Sequence, residues 1–176
     1  MNPLKLDTDR QVFFYEQDFY VLSNFSAFTL QWNGWRFDTS EAAYHWEKFA
    51  HMNEVGIQGP AQHECDLCYT IRRCGSAHEA FKIAEANQFA RRPDWDAVKI
   101  GIMRKMLRAK ANQHEYVRRK LLETGDRELI ENSWRDDFWG WGPNRDGQNM
   151  LGKLWMEVRA VLRAEPLRPG TIGTPG

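Results

Sequence analysis

Residues 29–50 read TLQWNGWRFDTSEAAYHWEKFA, and two structural signals meet inside them. In the first half, β-rich segments at 29–32 and 35–38 flank Asn33-Gly34. An Asn-Gly pair tolerates the two positive φ angles that a two-residue hairpin turn demands, so a hairpin is predicted here. The second half opens on Thr39-Ser40, which can cap a helix, and sets Ala42, Trp46, Phe49 and Ala50 at helical spacing. A helix from Glu41 to about Met52 follows. A hairpin running directly into a helix points to an α+β chain.

Outward from this stretch, residues 12–15 and 19–22 are also β-rich and read as strands. Residues 53–75 read as irregular. Ser76 followed by Glu79 is a capping box that opens a helix to about Phe89. Pro93 suits the first turn of the next helix, whose buried stripe is Trp95, Val98, Ile102 and Met106 and whose end falls near Ala111. A short helix covers Glu115 to Glu123 and stops at Gly125, a loop rich in glycine and tryptophan spans 134–147, and Leu151, Leu154, Val158 and Leu162 mark a final helix. The expected architecture is α+β: one mostly helical domain over residues 1–165, with a small antiparallel sheet near the N-terminus. A flexible tail is expected over 166–176.

At 176 residues, 42% hydrophobic and 27% charged, the chain has the composition of one globular domain. Lys+Arg and Asp+Glu balance at 24 each, so no global positive field draws it to nucleic acid or membrane. The N-terminus lacks a signal-peptide core and no apolar run approaches a membrane span, which makes the cytoplasm the expected compartment. Three cysteines fit a reducing compartment better than a disulfide framework. The eight tryptophans exceed what a core of this size asks for, and they suit a pocket for flat rings.

Four segments could carry chemistry. Glu41, His45 and Lys48 lie at i, i+4 and i+7 on one helix stripe, either as acid/base and nucleophile facing a pocket or as an ordinary ion-pair ladder. Residues 131–142, ENSWRDDFWGWG, gather acids and tryptophans in a loop, where they either build a cleft or cover the core and cap turns. Residues 142–149 run into the last helix, whose free N–H groups, with Arg145, could hold a phosphate. A basic run (Arg104, Lys105, Arg108, Lys110, Arg118, Arg119, Lys120) reads first as a solvated helical face and second as a phosphate contact. Cys65, Cys68, Cys74 and His78, with His63 alongside, have permissive zinc spacing, but reduced, partly buried cysteines are the stronger reading, and no metal or cofactor is expected.

Taken in order, these segments resemble the NADAR family. Leu22-Ser-Asn-Phe25 resembles its LSNF signature, and residues 39–49 its TSEHxYQxxKF helix. Trp95 to Lys99 with Met103, and Lys110 to His114, resemble its WExVK…M and KFxQH stretches. Glu131 through Gly140 follows ExxxxDxxWG, and Asn149 to Gly152 with Met156 and Arg159 follows NxLG…MxxR. The resemblance implies hydrolysis of N-glycosidic bonds in early riboflavin-pathway intermediates, where ribose phosphate joins an aminopyrimidinone, or in ADP-ribose attached to guanine. The partner implied is a nucleotide-like small molecule, with ADP-ribosylated nucleic acid as the further candidate; no membrane contact is implied, and the oligomeric state is left open.

Residue by residue, the resemblance carries function to Asn24, Glu41, Lys48, Trp95, Asp136, Trp139 and Asn149, with Tyr44 added from the same helix. One departure stands out: the family histidine after the glutamate is Ala42 here, a role His45 could take over. Glycosylamines open their sugar ring readily, and the C1 imine then invites an amine. Lys48 is therefore expected to form a sugar Schiff base, with Glu41 moving protons and Asp136 facing cationic intermediates. Asp137 and Glu131 are the alternatives to Asp136. Trp139 or Trp95 would stack on the base, with Asn24, Asn149 and Tyr44 also binding substrate. The competing mechanism is attack by a carboxylate-activated water, with Lys48 only binding phosphate. Outside this class stand a non-catalytic ADP-ribose or nucleotide reader and a zinc-stabilised interaction domain.

Overall fold

The computed structural model describes residues 6–15, 18–53 and 64–165. The expected tail, His63 and most of the irregular stretch after Asn53 lie outside these residues. The architecture is α+β. Helices α1 (Ser40–Glu47), α2 (Asp66–Arg73), α3 (Ala77–Ala86), α4 (Trp95–Gln113), α5 (Glu115–Glu123) and α6 (Met150–Ala164) pack around two small strand pairs.

The hairpin forms as its sequence predicts. Strands β2 (Leu30–Trp32) and β3 (Trp35–Phe37) pair antiparallel, Trp32 opposite Trp35, and Asn33 and Gly34 take φ of 49° and 82°. The other sheet was only half foreseen. Strand β1 (Gln11–Phe14) pairs in parallel with β4 (Glu128–Glu131), a strand the sequence pattern did not reveal, in the register Val12 to Leu129 and Phe14 to Glu131. Helix α6 lies directly on β4. At Gly152 an added Cβ would fall 2.0 Å from the Leu129 carbonyl oxygen, so only glycine permits this approach.

Residues 19–22 do not form the expected strand. Tyr20–Leu22 is a 3-10 turn in which the Leu22 and Ser23 N–H groups bond back to Phe19 and Tyr20. Side chains, not a neighbouring strand, take up the carbonyls that follow. The Trp155 indole N–H donates to Leu22 O at 2.8 Å, and the Lys110 ammonium donates to Ser23 O at 2.8 Å and Ser26 Oγ at 2.7 Å. These contacts fix the 22–26 turn against α4 and α6. Trp155 is fully buried. Removing an aromatic of roughly 150–250 Å² from water is worth at most about 4–6 kcal/mol.

Helix α1 starts as predicted, with Thr39 Oγ1 accepting the Ala42 N–H, but it ends at Glu47 and not near Met52. Lys48 caps it, because the Lys48 carbonyl accepts the Arg92 N–H at 2.9 Å and so leaves the helical ladder. Helix α2 occupies part of the stretch read as irregular. Helix α3 opens at the Ser76 cap, with Glu79 reaching back to the Gly75 N–H, and stops three residues short of Phe89. Pro93 precedes α4 and is not in its first turn, and α4 buries Trp95, Met103, Met106, Leu107, Lys110 and Ala111, leaving Val98 and Ile102 half-buried. Helix α5 and the stripe of α6 match expectation. Among the described residues, no helix is long and apolar enough to cross a membrane.

Candidate active site

The loop between β4 and α6 is a closed hydrogen-bonded structure. The N–H groups of Gln148, Asn149, Met150 and Leu151 bond to the carbonyls of Asp137, Gly140, Phe138 and Trp139. This overturns the expected phosphate cradle at the start of α6: the donors that would hold the anion are spent on the chain's own loop. Arg145 lies over the Trp141 ring. The loop can fold so tightly because of Gly140, where an added Cβ would meet Ser133 Cβ at 2.8 Å and the Glu131 and Asp136 carbonyl oxygens at 3.0 Å.

This loop walls one side of a cavity of about 250 Å³ whose other walls come from the 22–26 turn, α1, α3 and α4. Of the residues singled out in the sequence, Asn24, Glu41, Tyr44, Asp136 and Trp139 line it. Asp136 Oδ1 accepts the N–H groups of Phe138 at 2.9 Å and Trp139 at 2.7 Å, which anchors the carboxylate within its own turn. Glu41 Oε1 meets His45 Nε2 at 2.8 Å, so the histidine that could replace the family's missing one does hold this glutamate. The Glu41 N–H in turn bonds to the Asn24 carbonyl at 3.1 Å. The Asn24 amide touches Met103 Sδ through its nitrogen, while its oxygen is buried with no hydrogen-bond partner. That oxygen is an open acceptor.

Tyr44 is the hub of the aromatic wall. Its ring packs 5.0 Å from Trp95 and, edge to face, 5.6 Å from Trp139. Burial above all, and then the Glu41 and Asp136 charges, push the phenol far above its usual range, so it keeps its proton.

Three expected residues stand outside the lining. Trp95 is only 2% exposed, so it cannot stack on a ligand; its place is behind Tyr44, as support. Asn149 is the second correction. Its side chain holds strand to helix, accepting the Glu131 N–H at 2.9 Å and donating to Leu129 O at 2.8 Å, and it stands outside the cavity lining. Lys48 is buried, but its ammonium sits 5.5 Å from the Tyr44 ring centre and 5.9 Å from that of Trp95, and 3.9 Å from Glu85. Burial lowers its pKa, and the Glu85 and Glu41 charges oppose that shift. A lowered pKa suits a nucleophilic amine.

The structure also brings forward residues that sequence reasoning held only as alternatives, as with Glu131, or did not place at this site. Glu131, the last residue of β4, is 8% exposed and faces the cavity with Oε2 unpaired. Burial first, then Asp136 and Glu41, push its carboxyl up to about 8. Phe25, His78 and Phe81 form an aromatic rim, and Arg135, stacked on exposed Trp134, is the one guanidinium or ammonium among the lining residues. The motif had marked Glu131 as an alternative to Asp136, but its burial follows from its place at the end of β4. Nothing in the α3 pattern marks Phe81 as a rim residue.

The remaining candidates are structural. Lys110 leaves the basic run altogether, since it is fully buried. Arg104 pairs with Glu157, Arg108 and Arg118 with Glu165, and Lys120 with Glu123, so much of that run is an ion-paired face. Cys65 caps α2 through its sulfur, and the Cys68 and Cys74 thiols point to the Trp46 and Ile71 carbonyls. Among the described residues, no three His, Cys, Asp or Glu side chains converge on a metal position.

Comparison with known proteins places this geometry. Residues 13–163 match the NADAR domain model. The chain is 34% identical over 154 residues to the N-glycosidase Npun_R5314 of Nostoc punctiforme, covering 86% of this chain and 92% of the relative. It is 34% identical over 148 residues to the N-glycosidase YbiA of Escherichia coli K12, covering 84% of each. The Riboflavin biosynthesis protein VVA0006 of Vibrio vulnificus is 32% identical over 157 residues, which are 88% of this chain and 39% of the relative. In three dimensions, the NMR structure of E. coli YbiA superposes with a TM-score of 0.76 at 31% identity, covering 96% of this chain and 94% of that one.

Proposed function

We propose that this chain, which belongs to the NADAR family and is an N-glycosidase, cuts the bond between ribose C1 and an amino nitrogen of a guanine-like base. The ribose would belong to the ribosylaminopyrimidinone phosphates of riboflavin synthesis or to ADP-ribose on guanine. The observation that carries this reading is one cavity holding three carboxyls, Glu41, Glu131 and Asp136, beside an open amide acceptor on Asn24 and the Trp139 ring. Acids facing a developing sugar cation, with a ring and an acceptor for a flat base, are what glycosyl transfer from nitrogen requires.

The cavity is small beside the range of about 300–1,000 Å³ that encloses whole ligands. Base and ribose would fill it. The phosphates would then leave over the rim, past Arg135, Phe25, His78 and Phe81, and in ADP-ribose the adenosine would follow the same path. Relatives named for riboflavin synthesis support the free metabolite. A non-catalytic reader has no use for three cavity carboxyls, and relatives named N-glycosidases set it aside.

Two mechanisms remain. In the first, the Lys48 amine adds to the ring-opened C1 and displaces the base amine, with Glu41 moving the protons. The position of Lys48 behind the Tyr44 ring, outside the cavity lining, favours the second, in which a carboxylate-activated water attacks C1 directly. Borohydride added during turnover separates them. A sugar adduct on the Lys48 peptide establishes the imine, and its mass identifies ribose phosphate or ADP-ribose. Full turnover with no adduct establishes direct water attack. Absence of cleavage of ribosylaminopyrimidinone phosphate and of ADP-ribosylated guanine alike would overturn the substrate assignment.

A further inference from the structure

We infer that Glu131 is the acid that hands a proton to the leaving nitrogen, an assignment that rests on the N-glycosidase reading of the same cavity. The geometry carries it. Glu131 is the terminal residue of β4, and its backbone is clamped on both sides: the N–H donates to Asn149 Oδ1 at 2.9 Å and the carbonyl accepts the Trp141 N–H at 3.2 Å. These bonds fix the point from which the side chain projects. It enters the cavity with Oε2 buried and without a hydrogen-bond partner.

An ionised carboxylate in that position would cost several kcal/mol, since burial without a partner penalises the charge and not the neutral acid. The groups around it deepen the effect. Glu41 and Tyr44 face the cavity from α1, Asp136 and Arg135 from the loop, Tyr15 from the end of β1 and His78 from α3. Two of these are carboxyls, and the single guanidinium is the exposed Arg135 on the rim. The Glu131 carboxyl accordingly sits at about 8, where it is protonated at neutral pH and close enough to neutrality to give the proton up. A buried carboxyl kept only for structure would be expected to find a donor. This one faces the ligand space instead.

The step balances. As the C1–N bond breaks, its electron pair stays on nitrogen and the Glu131 proton moves to that nitrogen, so the base leaves as a neutral amine. The water that completes hydrolysis adds its oxygen to C1, directly or after a Lys48 imine. One proton of that water returns to Glu131.

Two measurements test it on the full chain. With glutamate carboxyls labelled with carbon-13, one resonance should titrate near 8, vanish in Glu131→Gln and move down in Asp136→Asn. Absence of any glutamate titrating above about 6 overturns the inference without reference to substrate. In kinetics, Glu131→Gln keeps the shape but holds no transferable proton. It should lose on the order of a hundredfold in kcat on an amine-linked ribosyl phosphate. On 4-nitrophenyl riboside 5-phosphate, whose leaving group departs unprotonated, the loss should be small. Equal losses on both substrates would make Glu131 structural and overturn the inference. A wild-type protein that cleaves neither compound overturns the substrate assignment instead, and the titration then decides Glu131 alone.

Discussion

The side-chain oxygen of Asn149 accepts the backbone N–H of Glu131 at 2.9 Å, across the seam between α6 and β4. The same amide donates to Leu129 O at 2.8 Å, and Asn149 reaches this position only by adopting φ of 49°. One side chain thus sets the height of the cavity's buried acid. Asn149→Ala leaves a strand N–H and a strand carbonyl unpaired in the interior. Loss of about 2–6 kcal/mol of stability is expected in urea unfolding, because each of the two orphaned buried groups costs about 1–3 kcal/mol. Stability within 0.5 kcal/mol of wild type, to take about the size of an ordinary surface change, would contradict this role.

Asp136→Asn should keep the fold, since an amide oxygen can still accept the Phe138 and Trp139 N–H groups. Turnover should nevertheless fall at least about tenfold, because a charge aimed at the cationic sugar is removed. An unchanged loop with near-normal turnover would pass the role to Asp137. Circular dichroism and steady-state kinetics on the same preparation decide it.

Arg135→Glu should raise KM for phosphorylated substrates, with kcat nearly unchanged, because the rim guanidinium contacts a phosphate in our reading and not the reacting bond. The matching dephosphorylated substrate should show no such rise. Equal effects on both would place Arg135 elsewhere in binding.

Lys110 gives a pH signature. Burial holds its ammonium down at about 7, against an ordinary 10.5 in the unfolded chain. Between these values the unfolded state binds the extra proton, so folding stability gains with rising pH, by at most about 1.4 kcal/mol per unit. Lys110→Met should lack this gain. The difference between the two proteins, followed by denaturation from pH 7 to 8.5, should therefore grow in favour of wild type. A constant difference would mean that Lys110 stays charged in the fold, held by Ser23 and Ser26.

The hairpin and the last two helices were legible because their signals are local: Asn-Gly at the turn, apolar spacing along α6, Gly125 after α5. Strand β4 was not, because it is four residues long and its partner is far away in sequence. Trp95 and Trp139 look alike in the chain, yet one is sealed behind Tyr44 and the other faces the cavity. That difference is set by tertiary packing. Lys110 was the readable miss. It falls three and four residues after Leu107 and Met106, on the apolar stripe of α4, and its charge hid its address. Glu41 and Asp136 were found on residue type and motif, whereas the protonation of Glu131 depends on neighbours that only the folded chain brings together.

The parallel pairing of β1 with β4 has a consequence for how the protein comes into being. Gln11 and Glu128 meet across 117 positions of chain, and helix α6 must close over β4 before that strand is sheltered. Loop-closure entropy is therefore spent before the long-range contacts return it, which places folding on the slower side for a mostly helical chain. During synthesis strand β1 has to wait for β4 and α6 to leave the ribosome. A nascent chain that stalls within α6 exposes β1 as an unpaired edge, and such a fragment should be a substrate for chaperones and proteases rather than a partly active enzyme.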